Sequence, residues 1–186
     1  MHHTYRAEQW LPFPVDLVFG FFANPGNLPR LMPAWQKTRI EKADFAAPPP
    51  RLDGSPGMLF QATVAGAGTR MTISFRPFPF SPVRATWEAE ITEFVWNEHF
   101  CDVQHRGPFS YWRHSHRLTA VSRVGATGGR SDGTLLRDEV EYALPLGRLG
   151  DFANSLVVAQ QMKSIFAYRQ ARTATLLPLA AGARAS

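Results

Sequence analysis

Residues 111–118 read YWRHSHRL, and their alternation decides what kind of element they form. Side chains on a strand point to opposite faces in turn. Trp112, His114, His116 and Leu118 therefore share one face, with Arg113, Ser115 and Arg117 on the other. The stretch LRDEVEYAL at 136–144 sorts the same way, placing Leu136, Asp138, Val140, Tyr142 and Leu144 against Arg137, Glu139 and Glu141. Around Trp87 one face carries Trp87, Ala89 and Ile91, and the other Glu88 and Glu90. The outer faces hold both signs of charge, so Arg113 and Arg117 are placed to pair with Glu139 and Glu141. Exposed pairs of that kind are worth about 0–1 kcal/mol each and mark a solvated surface, not a site.

Working outward, Tyr111–Val124 and Leu135–Leu144 read as a hairpin joined by the polar loop GATGGRSDG. Val83–Val95 and Glu98–Arg106 make another around Asn97, and Met58–Val64 and Arg70–Arg76 flank AGAG as a third. Trp35–Asp44 is a further strand, followed by a Pro/Gly-rich loop, and Thr4 to Leu11 is the first strand, stopped by Pro12. Between these, Val15, Val18, Phe19 and Phe22 recur at helical spacing after Pro14. Asn24-Pro25 supplies an N-cap and a Pro start for a second short helix carrying Leu28, Leu31 and Met32. After Pro145 the period is helical again. Phe152, Leu156, Ala159, Met162, Ile165 and Phe166 form one stripe, on a helix of about 25 residues. The end, LAAGARAS, reads as frayed, so the expected organisation is one domain over 1–177 and a flexible tail over 178–186. An antiparallel meander must cover its apolar face, and only the long helix is large enough. The fold class is α+β, a curved antiparallel sheet wrapped around the C-terminal helix.

Composition narrows the function. The 186 residues are 45% hydrophobic and 19% charged, which is ordinary for a globular chain. No apolar run reaches membrane-spanning length, and the start MHHTYRAEQW lacks the apolar core of a secretory signal. One cysteine, Cys101, excludes a disulfide framework and a thiolate zinc site and fits a cytoplasmic location. The net charge is +5, but 17 of the 20 basic residues are arginines scattered singly, so nucleic acid is not expected as a partner.

The inner face is unusual for one that only packs a helix. It combines Trp and aliphatic residues with His114, His116, Asp138 and Tyr142. Buried polar groups cost a few kcal/mol each unless paired. They either satisfy one another or face a cavity, and apolar walls with a few convergent polar groups describe a small-molecule pocket. Gln104 and Asp102 join this face if the strand bends at Gly107-Pro108.

GPFSYWRHSHRL (107–118), LRDEVEYALPLG (136–147), IFAYR (165–169) and the opening PVDLVFGFFANPGNLPRLMP (14–33) resemble the START/Bet v 1-like ligand-binding superfamily (SRPBCC). The resemblance covers roughly residues 4–177. It implies a helix-grip fold: a seven-stranded antiparallel sheet, two short helices after the first strand, and a long C-terminal helix enclosing an apolar cavity. Its members bind lipids, sterols, quinones, hormones or polyketides, and some are cyclases or dehydratases. The resemblance does not imply a metal, and no cofactor is expected.

The expected function is therefore binding, transport or sequestration of an apolar small molecule such as a lipid, quinone or polyketide. The expected ligand-binding residues are Phe60, Trp87, Gln104, Trp112, His114, His116, Asp138, Tyr142, Met162 and Phe166. An alternative is an aromatase/cyclase- or dehydratase-type enzyme, with His114, His116 and Asp138 as the candidate catalytic groups. His114-x-His116 with Asp138 also offers metal-type ligands, against the simpler reading of a His–Asp pair that stiffens the wall. A third alternative is an assembly factor that uses the outer sheet or the Phe78–Phe80 turn for a protein partner. That turn reads as semi-buried aromatics rather than a membrane-inserting element, and a homodimer stays open.

Overall fold

The alternation around His114 takes physical form in the computed structural model, which describes residues 1–51, 64–124, 128–145, 147 and 157–182. Phe60, Phe152, Leu156 and all of the expected Met58–Val64 strand except Val64 lie outside the described residues. The elements are β1 (His3–Leu11), α1 (Val15–Phe22), α2 (Leu28–Leu31), β2 (Arg39–Asp44), β3 (Arg70–Phe75), β4 (Ala85–Val95), β5 (His99–Arg106), β6 (Tyr111–Val124), β7 (Arg130–Ala143) and α3 (Ala159–Gly182). Seven strands form one sheet in the order β1-β7-β6-β5-β4-β3-β2, each neighbouring pair antiparallel. This is the helix-grip arrangement, with two short helices after β1 and a long C-terminal helix.

Local chemistry explains the opening. Pro14 O accepts from the amides of Leu17 and Val18, starting α1, whose Leu17, Val18, Phe19 and Phe21 are buried. A helix apolar on most sides must be surrounded, and this one sits against the sheet and α3. Asn24 Oδ1 accepts from Gly26 N at 2.9 Å, the expected cap. The turn it caps, Pro25–Asn27, is a 3-10 turn that leads into α2.

Two strand starts differ from expectation by several residues. β2 begins at Arg39 rather than Trp35, because Ala34–Gln36 is a 3-10 turn after Pro33, closed by Lys37 at φ 47. β7 begins at Arg130 rather than Leu135, since its polar start still pairs with β6 as far as Val124↔Arg130. β3 lies between β2 and β4 in the sheet. The segment read as a frayed tail is helical as far as Gly182, through Pro178, and Ala180 and Ala181 pack on the core.

On the outer face Arg113 does reach Glu141, at 3.5 Å, and also Glu93 at 2.9 Å, whereas Glu139 pairs with Arg6 of β1. Register slips between β4 and β5, at Glu88/Ala89 and Ile91/Glu93, mark bulges that add bend and twist to the sheet. Gly133 of β7 sits where β1 crosses closely. A Cβ there would lie 2.4 Å from Leu11 O and 2.7 Å from the Trp10 ring.

The core forms two clusters. One gathers α1, Leu118, Leu136, Leu176 and Leu177, and the other Trp112, Val140, Tyr142, Met162 and Phe166. On β6 and β7, His114, His116 and Asp138 fall between the two.

Candidate functional site

A cavity of about 380 Å³ lies between the concave sheet and α3, within the range of small-molecule pockets, about 300–1,000 Å³. Its wall is mostly apolar and includes Ile73, Trp87, Ala89, Ile91, Phe100, Trp112, Met162 and Phe166. The polar members include Gln36, Thr38, Asp102, His114, His116 and Arg169. Gln36 Oε1 and Thr38 Oγ1 are buried without a hydrogen-bond partner among the described residues. Phe78 both lines the cavity and is half-exposed, so it stands at the rim, and Gln161 Nε2 donates to Pro77 O across it at 2.6 Å.

Register assembles the polar patch. Asp102 of β5 lies directly opposite His114 of β6, and His116 lies opposite Asp138 of β7. Directly opposed side chains start about 5 Å apart, within contact range for these groups. His114, His116 and Asp138 are buried, at 5%, 4% and 6% exposure. His114 Nε2–H donates to Asp138 Oδ1 at 3.0 Å. His116 Nδ1 lies 2.7 Å from the same oxygen but outside hydrogen-bonding alignment. His114 Nδ1 faces Asp102 Oδ1 at 3.7 Å.

Aromatic rings hold the imidazoles in place. His116 stacks on Phe100 with centroids 4.3 Å apart, and Phe166 meets His114 edge-on at 5.6 Å. The two imidazoles are themselves 4.0 Å apart.

The electrostatics follow from burial. Burial, followed by the neighbouring His116, pushes His114 down from 6.5 to about 4, against the pull of Asp138 and Asp102. Burial also lowers His116, so both rings are neutral near pH 7. Burial alone would raise Asp138, yet His116 and the contacts from both imidazoles, helped by Arg169, hold it below the usual carboxylate range. Asp102 is pushed up by burial, only partly countered by His114 and Arg169. The patch thus sets the ionised Asp138 carboxylate under two neutral rings.

The residues expected from sequence divide as follows. Trp87, Trp112, His114, His116, Met162 and Phe166 come together on the cavity wall. Asp138 sits behind the histidines and reaches the cavity through them. Tyr142 is buried beside Trp112, Met162 and Phe166 rather than on the wall. Gln104 is not on the wall either. Its amide donates to Phe109 O at 2.6 Å and accepts from Phe109 N, bracing the turn after β5. Arg169 was missed, although it follows Phe166 by three residues on the same helical stripe, a readable signal. Cys101 is buried on the opposite face, and burial pushes its thiol up to about 11.

Comparison with known proteins follows the same lines. The family model described as polyketide cyclase / dehydrase and lipid transport matches residues 11–165. No curated protein matches the chain. Among solved structures, protein CV1439 from Chromobacterium violaceum aligns with a TM-score of 0.60 at 14% identity, covering 94% of this chain and 96% of its own. Ara h 8.0201 aligns at 0.52 and 16% identity, over 92% of this chain and 97% of that one. TTHA0849 from Thermus thermophilus aligns at 0.53 and 17% identity, over 94% and 99%. At such identities the likeness is one of fold.

Proposed function

Because the chain belongs to the polyketide cyclase / dehydrase and lipid transport family, we propose that it binds an apolar small molecule carrying an oxygen function in the cavity between sheet and α3. Family and fold together support hydrophobic ligand binding in general. The observation that carries the reading is a cavity of about 380 Å³ with an apolar wall that presents an imidazole–carboxylate patch. Transfer of apolar ligand surface to that wall is worth roughly 25 cal/mol per Å² and supplies affinity. Orientation comes from His114 and His116, with Gln36 and Thr38 offering further acceptors and donors on the wall. Release and uptake pass the rim at Phe78 and Gln161.

Binding is favoured over proton-transfer catalysis by the same burial. A general base works best with a pKa near the working pH, and His114 at about 4 is far weaker than that. The test is a titration with N-phenyl-1-naphthylamine, an apolar fluorophore, followed by displacement with fatty acids, quinones and aromatic polyketides. One saturable site is expected. The His114→Leu variant should bind an oxygenated ligand about 2–10-fold more weakly, the worth of one hydrogen bond, and a matched hydrocarbon unchanged. Equal loss for both ligands, or no saturable site, refutes the reading.

A further inference from the structure

Asp102, His114 and His116 have an arrangement that hydrogen bonding within the chain does not use up. A neutral imidazole carries one N–H, and His114 spends it on Asp138. Its Nδ1 is therefore a lone pair, and it points at a carboxylate oxygen of Asp102 3.7 Å away. That distance is too long for a hydrogen bond. Two lone-pair atoms facing each other inside a protein need a donor proton or a cation between them. Ligand atoms bound to one transition ion at about 2.0–2.2 Å sit roughly 3–3.4 Å from each other, close to the spacing found. His116 turns Nδ1 toward Asp138, leaving Nε2 for the cavity side. One ligand atom from each of the three residues lies within 4.8 Å of the others. Bringing the widest pair into a coordination sphere takes side-chain movement on the order of 1 Å.

Asp138 completes the pattern from behind. Histidines that hold a metal direct their other nitrogen to a carboxylate, which fixes the tautomer and the ring plane. Asp138 touches the far nitrogen of both rings and does not line the cavity, whereas Asp102, His114 and His116 all do. The two carboxylates of this patch also face only one nearby cation, Arg169, among the described residues.

We infer that Asp102, His114 and His116 form a binding site for one divalent first-row transition ion, of the Fe2+ or Zn2+ class, whose remaining positions open into the apolar cavity. Two imidazoles and one carboxylate suit these ions. The site deepens the ligand-binding reading, since the open side of the ion would take the oxygen of the organic ligand. Metal uptake is measured without that ligand, so its failure leaves the binding reading standing.

The experiment uses chelator-stripped full-length protein titrated with Co2+, read by visible absorption and by equilibrium dialysis with elemental analysis. The chain also begins Met1-His2-His3, so a His2→Ala/His3→Ala variant serves as the background control. One equivalent of Co2+ with ligand-field bands is expected in the wild type and in that control. Asp102→Asn, nearly isosteric and checked for folding by circular dichroism, should abolish the bands. Asp138→Asn should weaken binding about 10–100-fold, the usual effect of losing a carboxylate behind a ligating histidine. Absence of stoichiometric uptake overturns the inference. So does uptake that survives Asp102→Asn, or that disappears in the His2/His3 variant.

Discussion

The burial of His114 sets a measurable dependence of stability on pH. Its imidazole is 5% exposed, and its pKa falls from 6.5 to about 4 on folding. Between those values the unfolded chain holds a proton that the folded one does not, so stability falls as pH falls through that window. The complete effect is about 3 kcal/mol, and about 2 kcal/mol is lost between about pH 7.5 and pH 5. Groups around the ring modify this. His116 is lowered too and adds to the loss, while Asp102 is raised and offsets part of it at the acid end. Asp138 is lowered, so its own contribution is lost only at still lower pH. The perturbation that isolates the ring is His114→Gln, which keeps a donor toward Asp138 and cannot titrate. Urea unfolding of both proteins at several pH values, in the presence of chelator, gives the two stability curves. The wild type should lose about 2 kcal/mol more than the variant by pH 5. Parallel curves would refute the assignment of a buried neutral imidazole at this position.

Other consequences can be checked independently. Ala89 lines the cavity between Trp87 and Ile91 and is 5% exposed, so Ala89→Phe should fill it and weaken reporter binding at least about tenfold, or 1.4 kcal/mol, with the circular dichroism spectrum unchanged. Gly133→Ala should cost about 1–3 kcal/mol in urea unfolding, because its Cβ overlaps Leu11 O and the Trp10 ring. Cys101, buried with its thiol pushed up to about 11, should resist Ellman's reagent in the native protein and react at once in urea. Phe78→Ser at the rim should speed ligand exchange in stopped-flow, whereas Phe80→Ser, at 96% exposure, should change neither exchange nor stability.

Period-two alternation is a strong signal when one face is buried, and on β6 it placed Trp112, His114, His116 and Leu118 inward without error. The long apolar stripe gave α3 in the same way, with Met162 and Phe166 buried as expected. Alternation failed where the chain bends. Bulges in β4–β5 and the turn at Gly107–Phe109 decide that Asp102 faces the cavity and Gln104 does not, and no local pattern encodes that. Nor does it rank depth, so Asp138 and Tyr142 shared the inner face on paper. In space they lie behind the wall, one beneath the histidines and the other beside Trp112. The C-terminal helix also runs on through Pro178, whose missing N–H disfavours a helix interior. Burial of Leu176 and Leu177 and the packing of Ala180 and Ala181 carry the helix past it.

The central claim, that the cavity holds an apolar small molecule, is tested most directly by native and then denaturing mass spectrometry of the purified full-length protein, incubated with a mixed pool of lipids, quinones and aromatic polyketides. One organic molecule per chain, present in the native spectrum, released on denaturation and lost in Ala89→Phe, is the result this account predicts. A bare polypeptide mass after incubation, or adducts that Ala89→Phe retains in full, would contradict it.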